Sequence, residues 1–187
     1  TSIQVNPSNS IGNEFIAFDI KDKKTKFEEL ECFGLCYIWM ISIDDVVYFS
    51  RKLEEMPLFM KELEEQANGL KITIFVHNLS YDFQYLRNIF EMDVFAREQR
   101  KVISCQIKNT NIEFRCSMVL SGLSLEKLGE TFSTKTKKLT GSLDYNKIRN
   151  SKTTLTEEEL SYCENDCLVV YEYISMMLKQ YNNSFKK

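Results

Sequence analysis

Lys71-Ile72-Thr73-Ile74-Phe75-Val76-His77-Asn78-Leu79-Ser80-Tyr81-Asp82 is the stretch on which the fold turns. Lys71 to Val76 is short, nearly all apolar and rich in branched side chains, the composition of a strand buried on both faces. His77 to Ser80 is polar and reads as a loop. Helical spacing begins at Tyr81 and runs to Phe90. A buried strand feeding a loop and then a helix is the unit of a sheet with helices on its faces. Asp82 falls in the first helical turn, where its charge suits the helix dipole, so capping alone would account for it.

Outward from this unit the pattern continues. Glu14 to Ile20 is an aromatic-rich apolar run, predicted as a buried strand. Glu31–Ser42 and Asp45–Ser50 are two further strands joined at Ile43-Asp44-Asp45, a hairpin or meander. Leu53 to Ala67 repeats apolar residues at helical spacing and stops at Asn68-Gly69. Lys101–Lys108 and Asn111–Arg115 form a second hairpin, turning at Asn109-Thr110. Ser124 caps a helix through about Phe132, and 133–154 is a long polar stretch carrying several lysines. Thr156 with Glu159 is a capping box, with Leu155 as the outside staple residue, opening a helix through Leu178. Residues 1–13 lack periodicity and are expected to be a tail or linker, which leaves 14–187 as one domain. The expected fold class is α/β, a mixed central sheet flanked by helices, with sites at strand ends and helix starts.

The chain has 187 residues and a formal net charge of -3. That balance argues against coating nucleic acid by bulk charge, but it permits a local basic channel. No apolar run approaches the roughly 20 residues of a membrane span. With no secretory pattern, the expected location is the cytoplasm, with no membrane partner. The six cysteines form no CxxC pair and are read as buried free thiols of a reducing compartment, ahead of a zinc site.

The chemistry rests on carboxylates. Asp19 ends an apolar run, Asp82 opens a helix, and Asp166 follows Tyr162 by four residues, hence on the same helical face. Three carboxylates drawn from distant segments suit two divalent cations, the usual device for cleaving phosphodiesters in line. A phenol beside such a carboxylate can orient the attacking water. Each also has a plainer reading: a strand-ending aspartate, a helix cap, a half-buried helical tyrosine. Side chains alternate along a strand, so residue 21 shares the face of Asp19, and residue 21 is Lys21.

In combination, Asp19-Ile20-Lys21, His77-Asn78-Leu79-Ser80-Tyr81-Asp82 and Tyr162-Cys163-Glu164-Asn165-Asp166 resemble the three motifs of the 3'-5' exonuclease domain of family B DNA polymerases, above all the protein-primed group. Gly141-Ser142-Leu143-Asp144-Tyr145, followed by Thr156-Glu157-Glu158-Glu159, resembles the segment that leads into the third motif. The resemblance covers most of 14–178. It implies a ribonuclease H-like exonuclease fold and a site of four acidic residues with a tyrosine. Asp19, Asp82 and Asp166 would hold two Mg²⁺ or Mn²⁺ ions, and Tyr162 would position water. His77, Asn78, Tyr81, Ser117, Lys138 and Tyr145 would contact the 3' end of single-stranded DNA. A polymerase region or terminal protein outside this chain is the other partner implied. Ser161, where a histidine subclass would differ, favours the tyrosine subclass.

The departures are as specific. Lys21 stands where the family has a metal-binding glutamate, and Thr140 where the protein-primed group has a lysine, with Lys138 two positions earlier. Lys21 changes the formal charge of the site by about two units. At an effective dielectric of 20, unit charges about 4 Å apart interact at roughly 4 kcal/mol, enough to defeat binding of at least one cation. The expectation is therefore a proofreading exonuclease domain whose hydrolysis is weakened or lost. The alternative is a non-catalytic module that binds single strands or a protein partner. A free-standing RNA-trimming nuclease has no recognisable 2'-hydroxyl reader to support it.

Overall fold

Backbone pairing arranges seven strands in one mixed sheet in this computed structural model, which describes residues 2–9, 34–98, 101–139, 143–144 and 147–184. The strands are β1 (Ser2–Asn9), β2 (Gly34–Ile43), β3 (Val46–Ser50), β4 (Ile72–Val76), β5 (Met92–Glu98), β6 (Lys101–Ile107) and β7 (Ile112–Cys116). The helices are α1 (Met56–Ala67), α2 (Leu79–Leu86), α3 (Ser117–Ser121), α4 (Leu125–Thr131) and α5 (Glu157–Ser184). Spatial order is β3-β2-β1-β4-β7-β6-β5. The pairings β1–β4 and β4–β7 are parallel, and the four outer pairings are antiparallel. This is the mixed sheet with flanking helices that the sequence predicts.

Local chemistry explains the elements. β2 and β3 are joined by Asp44-Asp45, both at positive φ, the two-residue turn whose twist matches a hairpin. A proline opens α1, and Asn68 in the left-handed region ends it. Alternation divides the core between the faces of the sheet. Trp39 and Ile41 of β2 pack with Met56 and Met60 of α1, Ile74 and Val76 of β4, and Leu79 and Leu86 of α2. Ile38 and Met40 point to the other face and meet Tyr162, Cys163 and Cys167 of α5. Cys36, Cys105, Cys116, Cys163 and Cys167 are free thiols, as their spacing suggests.

Three elements depart from the sequence reading. Residues 2–9, expected as tail, form β1, paired along its length with β2 and over Ser2–Ile3 with β4. Main-chain ladders hold a strand whatever its polarity, and Pro7, which cannot donate, sits at the register shift. The predicted strand Glu14–Ile20 lies outside the described residues, as do Asp19, Lys21 and Tyr145. Strand β5 has almost every side chain exposed and so lacks an apolar period; its backbone pairing with β6 makes it a strand. Short α3 is the third, extending β7 directly. Among the described residues, no helix is long and apolar enough to cross a membrane.

The polar stretch before α5 is fastened rather than loose. Glu159 closes the predicted capping box: its Oε2 accepts from Thr156 N at 2.9 Å, while Thr156 Oγ1 accepts from Glu159 N at 3.2 Å. Its other oxygen, Oε1, accepts from Arg149 Nη2 at 2.6 Å, Arg149 Nε at 3.0 Å and Lys147 Nζ at 2.8 Å. Arg149 is 2% exposed and also donates to the carbonyls of Asp144 and Lys147. Arg51 reaches over from beyond β3 to the Asn150 and Thr153 carbonyls. Burial pushes the Glu159 carboxyl up. The hydrogen bonds from Lys147, the Thr156 amide and Arg149 outweigh it and hold the group down at about 2.

Because the folded-state value is depressed, this ion pair stabilises fully above the ordinary carboxylate range. Its contribution is lost as pH falls from about 4.5 toward about 2. Arg149→Ala strands a buried carboxylate and should cost about 3 kcal/mol at neutral pH. Urea unfolding at pH 7 and at pH 3 checks this: the deficit should narrow at the lower pH, and an equal deficit at both would exclude the ion pair as its cause.

Candidate nucleic-acid and metal site

Parallel register assembles the first part of the site. β4 and β7 run side by side from Ile72↔Ile112 to Val76↔Cys116, so the next residue beyond each strand, His77 in one case and Ser117 in the other, emerges beside its counterpart. His77 Nδ1 lies 3.1 Å from Ser117 Oγ, and Ser117 is wholly buried at the start of α3. Burial lowers the proton affinity of His77 to about 4, the Leu123 backbone offsetting this in part and the Lys138 charge adding to it. The imidazole is therefore neutral at physiological pH, able to donate from one nitrogen and accept at the other.

The chain turns from β4 into α2 through Asn78, whose φ of 64° is left-handed. Its carbonyl accepts from Tyr81 N at 2.9 Å. Helix α2 thus starts at Leu79, two residues earlier than the apolar period suggests, because Leu79 is itself a core residue. Ser80 Oγ accepts from Val102 N at 2.9 Å and ties the helix to β6. Asp82 is 3% exposed, more deeply placed than a helix-capping charge needs to be. Burial, helped by the nearby Asp82 carboxylate and opposed by the bond to the Ile38 carbonyl, pushes the Cys36 thiol up to about 12. Tyr81 is exposed, with its ring edge-on to Tyr85 and the centroids 6.2 Å apart.

Helix α5 carries the second part. Tyr162 is buried in the cluster of Tyr37, Ile38, Met40 and Leu143, and Asp166, one turn on, is 3% exposed. Their neighbours fix the helix on the sheet: Cys163 Sγ lies 3.8 Å from Tyr37 Oη, and Cys167 Sγ donates to the Met40 carbonyl at 3.7 Å. Tyr162 is more deeply buried than the half-buried helical tyrosine of the plainer reading. Lys138, half-buried in the loop after α4, is close enough to act on His77.

The described geometry thus joins His77 with Ser117, and the Lys138 charge acts on the imidazole. Asp82 and Asp166 are buried on separate helices. Among the described residues no three His, Cys, Asp or Glu form a metal-holding group. Asp19, the expected third carboxylate, is outside those residues. Buried oxygen donors are nonetheless the kind that Mg²⁺ and Mn²⁺ take, and buried carboxylates need a compensating charge. Sequence reasoning missed Arg149 and Glu159 as a pair, though the polar run and capping box were its visible halves.

The family model for the 3'-5' exonuclease matches residues 29–182, and the chain belongs to that family. Among solved structures, it resembles phi29 DNA polymerase complexed with primer-template DNA and incoming nucleotide, at 16% identity and a TM-score of 0.69. That match covers 96% of this chain and 30% of the polymerase. Phi29 DNA polymerase complexed with single-stranded DNA matches at 17% identity and a TM-score of 0.66, over 95% of this chain and 31% of the other. The orthorhombic form of the same polymerase matches at 16% identity and 0.68, over 96% and 30%. The fold is accordingly the ribonuclease H-like exonuclease fold, and the chain spans about 30% of the length of those polymerases. No curated protein matches the chain.

His77 is the single histidine in the chain, so its titration can be followed alone. Proton NMR should give an apparent pKa near 4, and Lys138→Ala should move it upward toward the ordinary value of 6.5. An unchanged titration in that variant would place Lys138 away from the imidazole.

Proposed function

We propose that the chain is the 3'-5' exonuclease, or proofreading, module of a protein-primed family B DNA polymerase, acting on single-stranded DNA 3' ends, with hydrolysis weakened or lost because of Lys21. The family match across 29–182 carries this reading. The burial of Tyr162, Asp166 and Asp82, beyond what surface roles would require, supports it. The phi29 structures with single-stranded and primer-template DNA indicate the class of ligand to test.

In this reading Asp19, Asp82 and Asp166 hold the divalent cations, Mg²⁺ or Mn²⁺. When bound, those ions neutralise phosphate charge and sharpen water as a nucleophile. The chain's own groups do the rest. Tyr162, held by Leu143 and the sheet, orients water beside Asp166. Tyr81 offers a stacking face, and Asn78 turns the loop that presents it. Neutral His77 and Ser117, with Tyr145, contact the strand, while Lys138 supplies charge to a phosphate. Lys21 would set an ammonium where a fourth carboxylate compensates the second cation.

That lysine also favours a second reading: a module that binds single strands or a protein partner without cutting. Digestion of labelled single-stranded DNA with Mg²⁺ or Mn²⁺ separates the two, alongside calorimetric titration of Mn²⁺. The native chain should digest slowly or not at all. Lys21→Glu should raise Mn²⁺ affinity and cleavage, on the order of tenfold or more. Brisk digestion by the native chain, abolished by Asp166→Ala, would overturn the loss of activity. Unchanged metal affinity in Lys21→Glu would remove Lys21 from the site.

A further inference from the structure

Residues 133–138, Ser-Thr-Lys-Thr-Lys-Lys, hold three lysines in six positions, the composition of a solvated loop. Their backbone is instead bound on two sides. On the α4 side, the Gly129 carbonyl accepts from Thr134 N at 3.2 Å, from Thr134 Oγ1 at 3.2 Å and from Lys137 Nζ at 2.8 Å. A Cβ at Gly129 would lie 3.3 Å from Thr134 Oγ1, a tight contact that the hydroxyl would have to yield to by a few tenths of an ångström. On the α5 side, Glu172 accepts from Lys135 N at 2.6 Å, Thr136 N at 3.2 Å and Thr136 Oγ1 at 2.7 Å. Thr134, between the two anchors, is 3% exposed.

A carboxylate cradled by two successive amides and a hydroxyl orders a segment that charge repulsion would otherwise spread. Lys137 is used within the protein, so the charges left to face outward are exposed Lys135 and half-buried Lys138, the latter acting on His77 beside Ser117. A chain of net charge -3 does not attract a polyanion by bulk charge and must place its few useful cations.

We infer that Glu172 is a positioning residue for nucleic acid: by clasping the Lys135–Thr136 backbone it holds Lys138 where a phosphate of the bound single strand passes His77 and Ser117. This rests on the single-strand reading above. Glu172 touches no substrate; it lowers the ordering cost that the lysines would otherwise meet on binding.

The sign of one substitution decides the matter. Glu172→Ala removes a negative charge, and by electrostatics alone it should tighten binding to a polyanion. A positioning role requires the opposite. The measurement is fluorescence anisotropy of a labelled oligothymidylate with the full chain, at several salt concentrations and without divalent metal. Glu172→Ala should bind roughly threefold to tenfold more weakly. Its salt slope should fall by about 0.7, the loss of one phosphate contact, and Lys138→Ala should show the same fall in slope. Glu126→Ala, an exposed carboxylate on α4, is the charge-matched control and should bind as well as the native chain or better. Glu172→Gln keeps an acceptor oxygen and should fall between; it decides the question if the alanine variant does not fold by circular dichroism. Binding by either folded Glu172 variant as tight as native, or tighter, overturns the inference alone. Absence of binding by the native chain at low salt overturns the single-strand reading and the inference with it.

Discussion

The parallel pairing of β4 with β7 is the constraint on which the rest of this molecule depends. Ile74, Val76, Ile112 and Phe114 are all buried, so the register between the two strands cannot slip without exposing a core face. Both strands end together, and the segments leaving them are therefore delivered to one place. His77 meets Ser117 because Val76 meets Cys116. The left-handed Asn78 then starts α2 at once, and Asp82 is carried into the protein on its first turn. A site assembled at strand ends and helix starts is the general solution of sheets with helices on both faces, since only there are backbone and side chains free to face a ligand.

Helix α5 carries the other half of the candidate site and much of its support. Four of its acidic side chains have assignments that differ in kind. Glu159 caps the helix and pairs with buried Arg149, Asp166 lies buried one turn beyond Tyr162, Glu172 clasps the lysine loop, and Glu164 is simply exposed. The carboxylates that face inward each meet donors or lie among buried groups, as the cost of burying charge demands. Under the proposed function this divides support from chemistry along one helix. The first turn fixes the helix against 147–156, the middle carries Tyr162 and Asp166, and the turns beyond hold 133–138.

Membership of the 3'-5' exonuclease family and the likeness to phi29 polymerase agree with the family and the fold that the motifs suggested. In the proposed function Lys21 is where this chain parts from that family's acidic set, and charge is the quantity at stake. Two divalent cations in one site need nearly all the negative charge that four carboxylates supply, so a single inversion weighs more there than anywhere on the surface.

The sequence by itself determined whatever local chemistry dictates. The β4 run, the Asp44-Asp45 hairpin, the capping box at Thr156 and Glu159, the Asn68 stop and the motif spacing were legible because period, turn conformation and capping act over a few residues. Strands β1 and β5 were not legible. A strand exists through hydrogen bonds to its neighbours, and neither Ser2–Asn9 nor Met92–Glu98 carries the alternation that betrays a half-buried face. Tertiary structure alone decided that Arg149 is the buried partner of Glu159, that His77 is neutral beside Ser117, and that Glu172 grips a loop some 36 residues before it in the chain. Desolvation and long-range pairing set those roles, and neither is written in the residues adjacent along the chain.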